Sequence, residues 1–528
     1  MTIPKNDLIM VDQLAEQNRL SAQKDVIEFL SCPGAFELSE GQVDVIETHA
    51  AMIFLCGRKA YKLKKSLRYP YLDFSTLDKR KRVIEREFEL NAPNAPQIYS
   101  GVTPVCRSCD GTLSVGGDGV AVEWLLSMQR FSQDALLSHQ IEGSSLKPEL
   151  IAEVSDAIIM HHRRAEVANV ASGADRIKEI VVELDEAFRS ARSVLKQNQV
   201  EEFCRRAKQH FICIEDCLRK RGLRGYVRRC HGDLHMENIV VLENKPVLFD
   251  ALEFSERFAT IDVLYDLAFL IMDLEAHGLR REANQTLNRY IFGDTGNLSG
   301  LQAMPLFLGC RAGIRAMVAI SRYEQASTAR SKEAAKAELE KYFELALRYL
   351  KTTPPALICI GGLSGTGKTS VSREIAPKLN NAPVALHLRS DIERKLFFGV
   401  SETYRLEERC YTKQVTEVIY RRLLRKAQIA LLAGNSVIVD AVFLSEHERK
   451  QFERIAKKIN VAFHGLWLEA NNKAMMSRVD ARTNDASDAD INVVRKQLSQ
   501  SSGPVQWQRI DAVRTLDDTV KKCLAVLV

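Results

Sequence analysis

The feature that most constrains this 528-residue chain is the stretch 357–369, which reads LICIGGLSGTGKT. An apolar run of strand character ends at Gly361, and residues 362–369 then spell GxxxxGKT, the phosphate-binding loop signature. Small residues at Gly362, Ser364, Gly365, Thr366 and Gly367 let backbone N–H groups point at phosphate oxygens, Lys368 supplies a charge for the terminal phosphates, and the Thr369 hydroxyl can hold Mg²⁺. The following SVSREIAPKL predicts a helix whose positive N-terminal end faces the same phosphates. A strand, this loop and a helix in that order predict a nucleotide-binding α/β unit that takes ATP with Mg²⁺.

The loop lies two thirds of the way along the chain, so a large segment precedes it. At ~150 residues per domain the length allows two to four units. A hydrophobic share of 46% with 27% charged residues suits a globular chain. The net charge of +6, from 74 basic and 68 acidic residues, suits small anionic ligands and argues against nucleic acid as a partner. The 12 cysteines are scattered and the start MTIPKNDLIM lacks the parts of a signal peptide, so a reducing, cytoplasmic setting is expected. No apolar run approaches ~18 residues, so no membrane span is expected. Oligomeric state is left open.

Residues 1 to about 50 lean towards helix, with VIEFL as an apolar seed. AMIFLCGRKAYKL then reads as two strands around a turn at Cys56–Arg58. Alternation puts Lys62 and Lys64 on one strand face, and the next helix, LDKRKRVIEREFELN, carries Glu85, Glu87 and Glu89, with Glu87 the candidate partner. A strand lysine paired with a helix glutamate is how protein kinases hold nucleotide phosphates, and Lys62 and Lys64 stand as alternatives for that role. Cys106 and Cys109 have zinc-ligand spacing but no second pair nearby, and are expected in a hairpin turn. Residues 131 to about 229 are helical by period, and His161 and His162 within them are not counted as sites.

At Cys230 the text becomes CHGDLHMENIVVLENKPVLFDALEF, giving HGDxHxxN, two apolar strands around a turn, and Asp250. Carboxylates and an amide in this order suit hard Mg²⁺ and a hydroxyl proton. The pattern resembles the aminoglycoside phosphotransferase family, a branch of the protein-kinase-like fold, over most of residues 45–345. The resemblance implies an ATP- and Mg²⁺-dependent O-phosphotransferase fold, with Asp233 as base and Asn238 and Asp250 as metal ligands. It also implies that Asp262 and Asp266 are structural hydrogen-bonders.

SKEAAKAELEKYFELALRYL followed by KTTPP predicts a helix ended by prolines, and the domain boundary is placed near Thr353, giving units 1–350 and 351–528. Beyond the phosphate loop, Asp391 follows a strand, where it can accept a hydroxyl proton or cap the next helix. NSVIVDAVF ends at Asp440, placed to back the metal. Arg478 and Arg482, at i and i+4 on a predicted helix, can close over ATP as a lid.

GLSGTGKT, the SDxxRK of 390–395, the VIVDA of 437–441 and RxxxR with SDAD resemble the small phosphate-loop kinases that phosphorylate hydroxyls, the group of polynucleotide kinase, chloramphenicol phosphotransferase and zeta-type toxins. The whole order resembles a bacterial two-domain family described as a bifunctional aminoglycoside phosphotransferase-like and ATP-binding protein. The expected fold is therefore α+β and α/β: a protein-kinase-like fold joined to a P-loop kinase domain with a parallel sheet. The expected function is a two-site kinase moving the γ-phosphoryl group of ATP to a small-molecule hydroxyl. The alternatives are an ATP-hydrolysing regulatory module without a phosphorylated acceptor, and a polynucleotide 5′-hydroxyl kinase.

Overall fold

The computed structural model describes residues 23–36, 42–69, 72–141, 145–168, 173–191, 194–379, 385–482 and 485–527. Its contacts divide the chain into two compact units: Met1–Gly143, Met160–Ala168 and Tyr226–Asp266 in the first, Ser144–Ile159, Asn169–Gly225 and Leu267–Val528 in the second. This division does not fall at residue 350. Most of the helical residues that precede the phosphate loop belong with it: they pack on one another, and the helix Arg280–Gly293 among them bonds to the parallel sheet at Ala385 and His387.

The first unit is built on a six-stranded sheet with the spatial order Asp44–Glu47, Ala51–Cys56, Lys59–Lys64, Val120–Gln129, Tyr99–Arg107, Leu113–Val115. The inner four strands are antiparallel, and Lys62 stands between Ile53 and Leu126. The turn at Gly57 and Arg58 is where the sequence places it, and Cys106 lies in a strand with Cys109 in the hairpin turn that follows. The early segment carries a short helix, Lys24–Leu30, and the edge strand Asp44–Glu47, which helical leaning did not foresee; residues 1–22 lie outside the described residues. Helix Leu77–Asn91 starts where the Thr76 hydroxyl accepts the Lys79 N–H. It lays Ile84 against Ile98, Leu126 and Val240, so one helix ties the sheet to the hairpin Ile239–Leu242 and Lys245–Leu248.

The second unit holds the helices Gly173–Ser190, Gln197–Leu223, Arg280–Gly293, Met304–Gln325 and Ala329–Tyr349. Phe188 joins three of them by meeting Phe203 and Phe343 edge to face, with ring centroids 5.0 and 4.9 Å apart. One segment, Thr295–Gln325, is long and apolar enough to cross a membrane by length and composition, although the sequence reading found no such run. The apolar window of that segment is 72% buried inside the protein, which accounts for its hydropathy as core packing.

The same unit carries a five-stranded parallel sheet in the order Leu386–Arg389, Val437–Asp440, Ala356–Gly361, Ala462–Glu469, Gln508–Asp511. Its β-branched strands are buried on both faces, as a parallel sheet requires. Ile358, Ile360, Ile438 and Leu466 pack on Val371 and Ile375 of the helix Lys368–Ile375. The phosphate loop, Arg389 and Asp440 all stand at the carboxyl ends of strands, the edge where ligands bind in open α/β sheets.

Candidate functional sites

In the first unit, strand, helix and loop bring five charged side chains together. Lys62 Nζ lies 2.7 Å from Glu87 Oε1 and 2.6 Å from Asp250 Oδ1. Lys64 Nζ lies 2.6 Å from both Glu87 Oε2 and Glu253 Oε1. Both lysines therefore meet Glu87, and Lys62 is the one that also meets Asp250. Burial works against the Lys62 charge, but Asp250 and Glu87 outweigh it and hold its pKa well above the usual lysine value. The same contact holds Asp250 below the carboxylate range against its own burial. Asp250 sits at φ 58°, in the left-handed region, where the Tyr99 hydroxyl accepts its N–H at 2.9 Å and Asn91 Oδ1 accepts the Ala251 N–H at 2.8 Å.

Asp233 and Asn238 meet on the HGD loop: Asn238 Nδ2 donates to Asp233 Oδ2 at 3.0 Å and to the Asp233 carbonyl at 2.9 Å. The Asp233 side chain keeps 42% exposure, so it is open to an incoming hydroxyl, and His235 and His231 hold its pKa down against burial. Behind the loop, Asp266 accepts the N–H groups of His231 at 3.1 Å and Gly232 at 2.9 Å, and its Oδ2 lies 3.1 Å from His162 Nε2. Asp262 accepts the Leu264 N–H at 2.9 Å where the helix Val263–Ala276 begins.

In the second unit the phosphate loop uses left-handed backbone at Gly362, Gly365 and Gly367. A Cβ on Gly365 would fall 2.5 Å from the Met475 carbonyl oxygen, so glycine is required there. Lys368 Nζ donates to the Leu363 carbonyl at 3.0 Å, and the Ser364 N–H donates to Gln497 Oε1 at 2.8 Å. Thr366 Oγ1 donates to the Leu363 carbonyl at 2.8 Å. Thr369 Oγ1 donates to Asp440 Oδ2 at 2.5 Å, with His387 Nε2 at 3.6 Å and Arg389 Nε at 3.9 Å from the same oxygen. His387, Lys368 and Arg389 hold Asp440 below the carboxylate range despite burial.

Asp391 lies in the first turn of the helix Ser390–Phe398, two residues past the cap position, which belongs to Arg389. The capping alternative is thus not the geometry found. Burial, helped by the Asp440 charge, pushes the Asp391 pKa up, while burial pushes Lys368 down. Both lie within electrostatic reach of each other and of Asp440.

The two arginines do not share a helix face. The helix Asn472–Asp480 ends before Arg482, because the turn-forming RTNDASDAD cannot extend it. Arg478 Nη2 donates to the Ala512 carbonyl at 2.9 Å and Nη1 lies 3.5 Å from the Gly365 and Thr366 carbonyls, so it braces the loop from outside. Arg482 acts electrostatically on Lys368, and its buried Nη1 has no hydrogen-bond partner among the described residues. Beside the loop, a cavity of about 330 Å³ is lined by Leu363, Thr366, Met475, Gln497 and others.

A family model described as an AAA domain matches residues 357–504. The uncharacterized protein Rv2004c of Mycobacterium tuberculosis is 26% identical over 481 residues, covering 89% of this chain and 92% of that protein. The Mycobacterium bovis protein Mb2027c gives the same figures. Among solved structures, a gluconokinase from Sinorhizobium meliloti is 19% identical, with a TM-score of 0.25 over 34% of this chain and 93% of its own. The Mycobacterium tuberculosis APS kinase CysC is 19% identical, with a TM-score of 0.26 over 33% and 98%. A Plasmodium vivax ethanolamine kinase is 10% identical, with a TM-score of 0.37 over 58% and 84%.

The chain combines an N-terminal unit built on an antiparallel sheet with a C-terminal parallel sheet that carries the phosphate-binding loop, the part that the AAA-domain model matches. Several residues at these sites escaped sequence reasoning. Glu253 stands three residues after Asp250 and could have been found as the second acid a second buried lysine demands. Tyr99, His162, His387 and Arg389 carry no local motif and reach their partners through the fold alone.

The donor set fits magnesium and a nucleotide. Thr369 and Asp440 offer hard oxygens beside a buried lysine, and Arg389 Nε and Arg482 Nη1 are buried donors without hydrogen-bond partners among the described residues. Asn238 and Asp250 offer the corresponding oxygens in the first unit.

Proposed function

We propose that the chain is an ATP-dependent phosphotransferase with two sites, each moving the γ-phosphoryl group to a hydroxyl of a small molecule. The observation that carries this reading is the convergence on the GxxxxGKT loop of two carboxylates encoded far from it: Asp440, bonded to Thr369 at 2.5 Å, and Asp391, in electrostatic reach of Lys368. A carboxylate backing the metal and a second one to take a hydroxyl proton are what a kinase needs beyond nucleotide binding.

At this site Lys368 and the loop amides hold the phosphates of ATP, and Asp391 takes the acceptor's proton as the new O–P bond forms and the bond to the β-phosphate oxygen breaks, releasing ADP. Burial raises the basicity of Asp391, which suits the task. Arg482 offers charge to the transferring group, and Arg478 keeps the loop in shape. In the first unit Lys62 holds phosphates, Glu87 orients Lys62, and Asp233 receives the proton. Thr369 and Asp440 in one site, and Asn238 and Asp250 in the other, would hold magnesium, which would supply neutralisation of the phosphate charge.

The test is transfer from γ-labelled ATP to pools of aminoglycosides, sugars, nucleosides and oligonucleotides, with wild type, Asp233→Ala and Asp391→Ala. Labelled product that falls at least a hundredfold in one or both variants is expected. Free phosphate as the sole product, or rates untouched by both changes, would overturn the two-base reading.

A further inference from the structure

The strand Leu386–Arg389, which leads into Asp391, lies at the edge of the parallel sheet and pairs with Val437–Asp440 on one side. Its Leu386 N–H donates to the Ser436 carbonyl, so the N–H of His387 and the carbonyl of Ala385 face the other edge. The helix Arg280–Gly293 crosses there. Asn288 Oδ1 accepts the His387 N–H at 2.7 Å, and Asn288 Nδ2 lies 3.4 Å from the Ala385 carbonyl, which also accepts from Asn284 Nδ2 at 2.9 Å. Asn288 Nδ2 further donates to the Asn284 carbonyl at 2.9 Å, which fixes the amide's orientation, since a flipped amide would set donor against donor.

One side-chain amide thus takes both bonds that a residue of a neighbouring parallel strand would take, N–H to Ala385 and carbonyl to His387. Asn284 and Asn288 are both buried. A buried amide that gives up such partners costs far more than a surface contact. The same helix adds Arg280 Nη2 to the Leu379 carbonyl at 2.9 Å and Arg281 to Glu374 at 3.0 Å, both at the far end of the helix that starts from Lys368.

We propose that Asn288 is a positioning residue for the phosphoryl-transfer site at Lys368: it closes the edge of strand Leu386–Arg389 and so sets where Arg389 and Asp391 stand. The P-loop site is then completed by a helix encoded about 70 residues ahead of it. This rests on the reading of Asp391 as base only for the size of the kinetic effect.

The experiment uses the full chain with the first site silenced by Asp233→Asn, and reads magnesium-ATP hydrolysis, with water as the acceptor, beside hydrogen–deuterium exchange of residues 385–391. Asn288→Ala is expected to speed exchange at His387 and lower kcat at least tenfold, with KM for ATP within twofold of the parent. Asn288→Asp, which keeps an oxygen for the His387 N–H, should recover part of kcat and stands in if the alanine variant does not fold. Unchanged kcat and exchange in Asn288→Ala, or a rise in KM that accounts for the whole loss, overturns the proposal. If Asp391→Asn is inactive while Asn288→Ala is not, the positioning role fails and the base stands. If Asp391→Asn keeps its rate while Asn288→Ala loses it, the base fails and the positioning role stands.

Discussion

Thr369 Oγ1 and Asp440 Oδ2 are joined by a 2.5 Å hydrogen bond although 71 residues separate them in sequence. Neither side chain acts alone if the pair forms one oxygen face for the metal. Thr369→Val and Asp440→Asn are each expected to cut magnesium-ATP turnover at the P-loop site by about a hundredfold, in keeping with the loss of one preorganised group. The double variant should lose little more than the worse single one, because residues acting as a unit are not additive. Steady-state kinetics of the three proteins would check this.

Lys62 and Lys64 share Glu87 but differ in their second partner, Asp250 for one and Glu253 for the other. Lys62→Met is expected to remove turnover at the first site while leaving the chain folded. Lys64→Met leaves Glu253 without its buried cation and should destabilise the first unit by about 3 kcal/mol, the scale for breaking a buried pair. Urea unfolding with a probe in the first unit, set beside nucleotide turnover, separates the two effects.

His161 is pushed down to about 3 by burial, with His162 and His231 nearby adding to the shift. Its folded pKa is depressed below the unfolded value of ~6.5, so between those limits the unfolded chain binds a proton that the folded chain does not. Stability from this residue is complete above ~6.5 and is lost as pH falls towards 3. In His161→Gln the slope of unfolding free energy against pH in that window should fall by about one proton. Denaturant titrations at a series of pH values measure it.

What the sequence disclosed was local. GxxxxGKT and HGDxHxxN are contiguous, and their strands and turns follow from apolar runs and turn residues, so the two folds and their loops could be read directly. The choice between Lys62 and Lys64 could not, because both point to one face and both reach Glu87; the difference lies in Asp250 and Glu253, about 190 residues away. Arg482 was misplaced on a helix face because i and i+4 spacing says nothing about where a helix ends. The boundary near Thr353 followed a proline signal in the chain, whereas the packing that groups helix Arg280–Gly293 with the parallel sheet runs through side-chain amides that leave no periodic trace.

The amides of Asn284 and Asn288 also bear on solubility. An open sheet edge is a template for pairing with another chain, and proteins guard such edges with charge, bulges or a covering element. Here the guard is a helix laid across Leu386–Arg389. A fragment cut at the proline-marked junction would carry that edge bare, with the His387 N–H and Ala385 carbonyl turned outward, and self-association through strand addition is the behaviour to expect of it.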